Sequence, residues 1–99
     1  MGGEGVVIFE WDAGKAAANR KKHGISFEDA TSAFLDPLAV TYPDPDHSHA
    51  ECREITIGRT IRGRLVLVSH CERETRIRII SARHATRRER KQYEEATGQ

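Results

Sequence analysis

A chain of 99 residues, 37% hydrophobic and 31% charged, can form one small domain but leaves little room for a deep enclosed substrate cavity. Its net charge of +1 hides an asymmetry: residues 1–52 carry four Lys/Arg against nine Asp/Glu, and residues 53–99 carry twelve against six. No apolar run, that of residues 65–68 included, exceeds four residues, too short for a membrane-spanning helix, and a second half in which Lys91 is the only lysine beside eleven arginines suits a polyanion or an acidic protein partner, if it is not simply solvated surface.

In chain order, residues 1–5 read as a flexible start, residues 6–96 as one domain and residues 97–99 as a tail. The β-branched and aromatic run over residues 6–11 predicts a first strand. Asp12 is placed to cap a helix over residues 13–23, with Gly24 closing it. Ser26 starts a second helix. Its apolar face is Phe27, Ala30, Ala33 and Phe34, and Asp36-Pro37 stops it. Residues 38–42 predict a short strand and Pro43-Asp44-Pro45-Asp46 a loop. Strands follow over residues 52–58, 64–70 and 76–81, separated by turns at Arg62-Gly63 and residues 72–75. The unbroken Leu65-Val66-Leu67-Val68 predicts a central strand buried on both faces. In the last strand, strict alternation puts Arg76, Arg78 and Ile80 opposite Ile77, Ile79 and Ser81. Thr86 caps a final helix to about residue 96. The order β-α-α-β-β-β-β-α predicts an α+β fold: a small twisted antiparallel sheet with helices grouped on one face.

Cys52 and Cys71 read as free thiols in a cytoplasmic protein, since no secretory segment is recognisable. His47-Ser48-His49 with Cys52 offers metal-ligating atoms, but neither a Cys-x-x-Cys pair nor a His-Glu-x-x-His motif accompanies them, so no metal or other cofactor is expected.

Several blocks occur together. Phe9-Glu10-Trp11-Asp12 is followed by Lys15, Asn19, Lys22-His23-Gly24-Ile25-Ser26-Phe27 and Ala30. Asp36-Pro37 and the stretch His47-Ser48-His49-Ala50-Glu51-Cys52-Arg53 come next, then Ile57-Gly58-Arg59-Thr60 and Gly63-Arg64-Leu65-Val66-Leu67-Val68. Arg73, Ile77-Arg78-Ile79-Ile80-Ser81-Ala82-Arg83, Ala85, Glu89 and Tyr93 complete the set. In this order and spacing the chain resembles the BrnT toxins of the RelE-like superfamily over about residues 8–95. His70-Cys71 stands where members often carry other residues. The resemblance implies a RelE-like fold and a toxin of a bacterial type II toxin–antitoxin system. It also implies metal-independent RNA cleavage that shuts down translation, and a BrnA-like antitoxin that neutralises the toxin in a 2:2 complex. The antitoxin would carry the DNA-binding domain that represses their shared operon, so this chain would meet DNA only indirectly.

Metal-free RNA cleavage needs a base for the 2′-hydroxyl, an acid for the leaving 5′-oxygen and cations for the charge that builds on the phosphate. Guanidinium groups suit the last task because they stay charged and match phosphate oxygens in pairs. The candidate cationic cluster is therefore Arg53, Arg64, Arg78 and Arg83, with Arg83 foremost because it closes the Ile-Ser-Ala-Arg block. Glu51, His23, His47, His49 and Lys22 are the candidate proton carriers. For His23 a helix-capping role competes, and for Glu51 a merely orienting one. Arg73, Ser81, Trp11, Tyr93 and His49 are candidates for holding RNA, against a core role for Trp11 and a backbone-capping role for Ser81. Two further readings remain open: a non-catalytic module binding RNA or protein through a basic sheet face, and a degraded toxin that still binds its antitoxin.

Overall fold

The structure, a computed structural model, describes residues 7–46 and 52–98. Strand β1 (Ile8–Glu10) leads through Trp11 and the cap Asp12 into helix α1 (Ala13–His23). The Asp12 carboxylate accepts the Lys15 amide at 2.9 Å, and Gly24 closes the helix at φ 73°, a conformation that glycine adopts without strain. Helix α2 (Phe27–Ser32) starts where the Ser26 hydroxyl accepts the Asp29 amide at 3.0 Å. It tightens into a 3-10 turn (Ala33–Leu35) and stops at Asp36, which is extended as the residue before Pro37 must be. Strands β2 (Val40–Pro43), β3 (Arg53–Arg59), β4 (Leu65–Arg73) and β5 (Arg76–His84) follow, and helix α3 (Arg87–Thr97) ends the described chain.

The five strands form one sheet in the order β1-β5-β4-β3-β2. Three pairings are antiparallel, but β1 runs parallel to β5, so the sheet is mixed and not antiparallel throughout. No hairpin links β1 to β5; the chain crosses the sheet through α1 and α2 and returns, which leaves β1 free to pair in parallel. The helices also occupy both faces, not one. On the first face Ile25, Phe27, Ala30 and Ala33 pack on Val66, Val68, Ile79 and Ala82. On the second, Tyr93 of α3 packs on Ile57, Leu65 and Leu67. Alternate residues of β4 enter the two cores, which is why its apolar run is continuous.

Buried Asn19 ties α1 to the sheet. Its side-chain amide donates to the carbonyls of Ile25 (3.1 Å) and Ala82 (2.8 Å), and its oxygen accepts the Ala82 amide (3.1 Å). Gly58 of β3 passes so close to the 3-10 turn that a Cβ there would lie 2.7 Å from the Ala33 carbonyl oxygen. Asp36 then clamps the turn to the sheet and to α3: its carboxylate accepts the amides of Arg59 and Leu38 (2.9 Å each) and the Tyr93 hydroxyl (2.6 Å). Burial pushes this carboxyl up, but the three donors outweigh it and hold it below its ordinary value.

The hairpin of β4 and β5 is longer than the sequence pattern predicts. Its strands run to Arg73 and from Arg76, and only Glu74 and Thr75 turn, with Glu74 at φ 54°. The β4–β5 ladder also slips once: Ser69 pairs with Ser81, yet His70 pairs with Ile79, so Ile80 is an extra residue in β5. Past this bulge, Ser81 and Arg83 share a face with Arg76 and Arg78, whereas strict alternation would put Ser81 on the other side.

His70 is 2% exposed. Its Nε2 and the Thr56 hydroxyl are hydrogen-bonded at 2.7 Å, Thr56 bonds Thr41 at 2.7 Å, and the ring meets Phe34 edge-on. Burial pushes its pKa down to about 4. Between the unfolded value of 6.5 and about 4, the unfolded chain binds a proton that the folded chain refuses. Stability should therefore fall as pH drops through this window, by up to about 3 kcal/mol. Urea unfolding of the wild type and of His70→Asn at pH 7, 5.5 and 4 measures it. The variant should lack this part of the acid loss, and equal slopes in both proteins would refute the assignment.

Candidate functional site

Helix α3 crosses only one end of the second sheet face, over Ile57, Leu65 and Leu67. Beyond it the strand register sets out rows of side chains. One row runs Arg53, Cys71, Arg78, Glu10 from β3 to β1. The next runs Tyr42, Ile55, Ser69, Ser81, and the one after it ends on Arg83. The Cα atoms of Arg53 and Arg78, two strands apart, are separated by about 10 Å. Arg73 and Arg76 pair at the hairpin end of the same face. Three of the four arginines expected to cluster, Arg53, Arg78 and Arg83, thus share one face of the sheet, and Arg73 and Ser81 join them.

These cations differ in how they are held. Arg83 makes a two-pronged pair with Glu89, Nη1 to Oε1 at 2.8 Å and Nη2 to Oε2 at 2.9 Å, which fixes the plane of its guanidinium. Glu89 also accepts the Thr86 amide at 2.9 Å while the Thr86 hydroxyl accepts the Glu89 amide, so the arginine is tied to the capping box that starts α3. The hydrogen bond from Arg83 holds the Glu89 carboxyl below its ordinary range, and Glu89 in turn raises Arg83. Arg76 and Arg78 flank Glu10 at 3.1 and 3.8 Å, both exposed enough for solvent to screen the pairs. Tyr42 is within electrostatic reach of Arg83; burial and then Glu89 raise its hydroxyl above the ordinary value, with Arg83 opposing. A strand face that gathers several guanidiniums, with that of Arg83 held in plane, beside hydroxyls can bind a phosphodiester backbone.

Other expected residues lie elsewhere. Arg64 is on the opposite face, where its Nη1 donates to the Gly24 carbonyl at 3.1 Å. There it accompanies Lys22 and His23 at the cationic last turn of α1, which suits the helix dipole. Those three are not brought to the Arg53–Arg83 face. Trp11 packs against the first core, edge-on to Phe27 at 5.9 Å between ring centroids. Tyr93 is 2% exposed with its hydroxyl given to Asp36, so its ring is not open for stacking. Glu51, His47 and His49 lie outside the described residues. Among the described residues no group of His, Cys, Asp and Glu is arranged to hold a metal ion, and no helix is long and apolar enough to cross a membrane.

Tyr42, Ser69, Glu89 and Glu10 were not expected at the site. For Glu89 a signal was available, since Thr86-Arg87-Arg88-Glu89 has the spacing of a capping box. Tyr42 and Ser69 had none, because their place depends on which strands become neighbours.

A sequence model of the family described as the ribonuclease toxin, BrnT, of type II toxin–antitoxin system matches residues 11–89. The chain belongs to the BrnT family. That family is one of ribonuclease toxins, which implies RNA as substrate and an antitoxin as partner. The matched BrnT segment contains Arg53, Arg78, Arg83 and Glu89, and stops short of the last two turns of α3. Among solved structures, the crystal structure of the Brucella abortus ribonuclease toxin BrnT superimposes with a TM-score of 0.65 and 25% identity, over 82% of this chain and 99% of that chain. No match is found among curated proteins.

Proposed function

We propose that this BrnT toxin cleaves RNA without a metal ion, and that Arg53, Arg78 and Arg83 hold the phosphate at which the chain is cut. The observation that carries the reading is the bulge at Ile80, which turns Arg83 and Ser81 onto the face that already bears Arg53 and Arg78. In this scheme the ribose 2′-hydroxyl attacks its own 3′-phosphate, the guanidiniums stabilise the charge on the phosphate oxygens, and the 5′-oxygen leaves with a proton. Ser81 donates a further hydrogen bond, and Arg73 and Arg76 lengthen the cationic track for the flanking strand. The proton carrier is sought among Glu51, His47 and His49, which precede Arg53 in sequence. Lys22, His23 and Arg64 stay outside this scheme, because the sheet separates them from it.

Cleavage of messages in the cytoplasm would inhibit translation. The antitoxin, of BrnA type in a 2:2 complex, would cover the arginine face with an acidic segment and so hide the site. Inducing the chain alone should stop growth, and inducing it with its antitoxin should restore growth. Purified toxin should cut RNA in excess EDTA. Growth unaffected by the chain alone, together with intact RNA, would overturn the reading. Salt-sensitive RNA binding without cleavage would instead support a non-catalytic binding module.

A further inference from the structure

A groove of about 400 Å³ lies between α3 and the β2 edge of the same sheet face. It is lined by Val40, Tyr42 and Ile57 of the sheet and by α3, whose Tyr93 is buried and whose Gln92 and Glu95 are exposed, so the aromatic face open to a ligand is that of Tyr42. Tyr42 belongs to two places at once: it lines this groove, and it is within electrostatic reach of Arg83 and Glu89. Tyr42 also heads the row that runs through Ile55 and Ser69 to Ser81, so the groove lies on the sheet face that carries the guanidiniums.

We infer that this groove receives one unstacked nucleobase of the RNA whose backbone lies on Arg53, Arg78 and Arg83, and that Glu95 favours a base carrying an exocyclic amine (adenine, cytosine or guanine) over uracil. The inference rests on the cleavage reading above and deepens it. A base has apolar faces and a polar edge, and the groove matches that division, with an aromatic ring for the face and an amide for the edge. The Gln92 amide, a donor beside an acceptor, can bond the edge of any base, the N3–H and O4 of uracil included, so it holds the base without choosing it. The Glu95 carboxylate accepts from an amine and repels the carbonyl oxygens of uracil. Size argues against a protein helix as occupant: a helix is about 10–12 Å across, so even two turns would overfill the space. Gln92, Glu95 and Tyr93 also lie beyond the residues that match the family model, so this preference would be a property of this chain and not of the family segment.

The test maps cleavage sites on one RNA of balanced composition with wild-type toxin and with Gln92→Ala, Glu95→Gln and Tyr42→Phe. Gln92 and Glu95 are exposed helix positions, so these variants should fold, and unchanged melting curves check it. The wild type should prefer adenine, cytosine or guanine over uracil at one position beside the cut by about tenfold, Glu95→Gln should reduce this to about threefold or less, and Gln92→Ala should slow cleavage while keeping the preference. Tyr42→Phe, which keeps the ring, should keep the preference. Removing that base, with an abasic site at the preferred position, should slow wild-type cleavage and remove the difference between the wild type and Glu95→Gln. Wild-type cleavage whose pattern is the same in every variant would overturn the inference while leaving the cleavage reading intact. So would variants that cut normally but no longer retain the antitoxin. A wild type that cuts no RNA would remove both.

Discussion

Arg83→Ala should lower RNA cleavage by about 100-fold or more while the protein stays folded. Removing one fixed donor from a site where charge builds in the transition state typically has an effect of that size. Stability should change by no more than about 1 kcal/mol, because the Arg83 side chain is 39% exposed and its pair with Glu89 is screened by solvent. Glu89→Gln separates the two roles that the pair could have. Glutamine at the third helical position still serves the capping box, so α3 stays anchored, but the carboxylate no longer competes with RNA for the guanidinium. Cleavage by Glu89→Gln should therefore match or exceed the wild type. Rate assays on one RNA substrate, with thermal melts of each variant, decide the matter. Equal loss of cleavage and of melting temperature in both variants would make Arg83 a strut for α3 and no part of the chemistry.

The second large effect is expected on the sheet face opposite Arg53, Arg78 and Arg83. Gly58→Ala would put a methyl group 2.7 Å from the Ala33 carbonyl oxygen and 3.1 Å from the Ala39 Cβ. The first neighbour is backbone and cannot swing away, so the 3-10 turn or β3 has to move. That turn leads into Asp36, whose bonds to Arg59 and Tyr93 would be strained with it. A loss of about 2–3 kcal/mol is expected, or about 10 °C or more in Tm for a domain of this size. Calorimetry on the purified variant measures it; a Tm within about 2 °C of wild type would show that the turn can yield.

The local elements were legible in the sequence because their signals are local. Asp12, Gly24, Ser26 and Pro37 sit at the ends of α1 and α2 where capping chemistry places them. The apolar run of β4 announced burial on both faces, and read strictly it contradicts helices on one face only; α3 supplies the second cover. What could not be read is what depends on pairing. The parallel partner of β1 lies more than sixty positions away, and the slip at Ile80 leaves no mark in composition, since isoleucine fits any strand position. That single slip decides which face Ser81 and Arg83 join. The chemically attractive grouping of Arg64 with Arg78 and Arg83 failed for a related reason: Arg64 precedes the first core residue of β4 and so points to the other face.

The parallel partnership of β1 and β5 also constrains when the molecule can finish folding. β1 leaves the ribosome before the other described elements, and its sole strand partner within the described residues is the last of the described strands to be made. Contacts between such distant segments close late and slowly. The arginine face, drawn from β3, β4 and β5, likewise awaits β5. A nascent copy from which β5 has yet to emerge therefore lacks an assembled arginine face, and on the proposed reading has nothing with which to grip the message it is being read from.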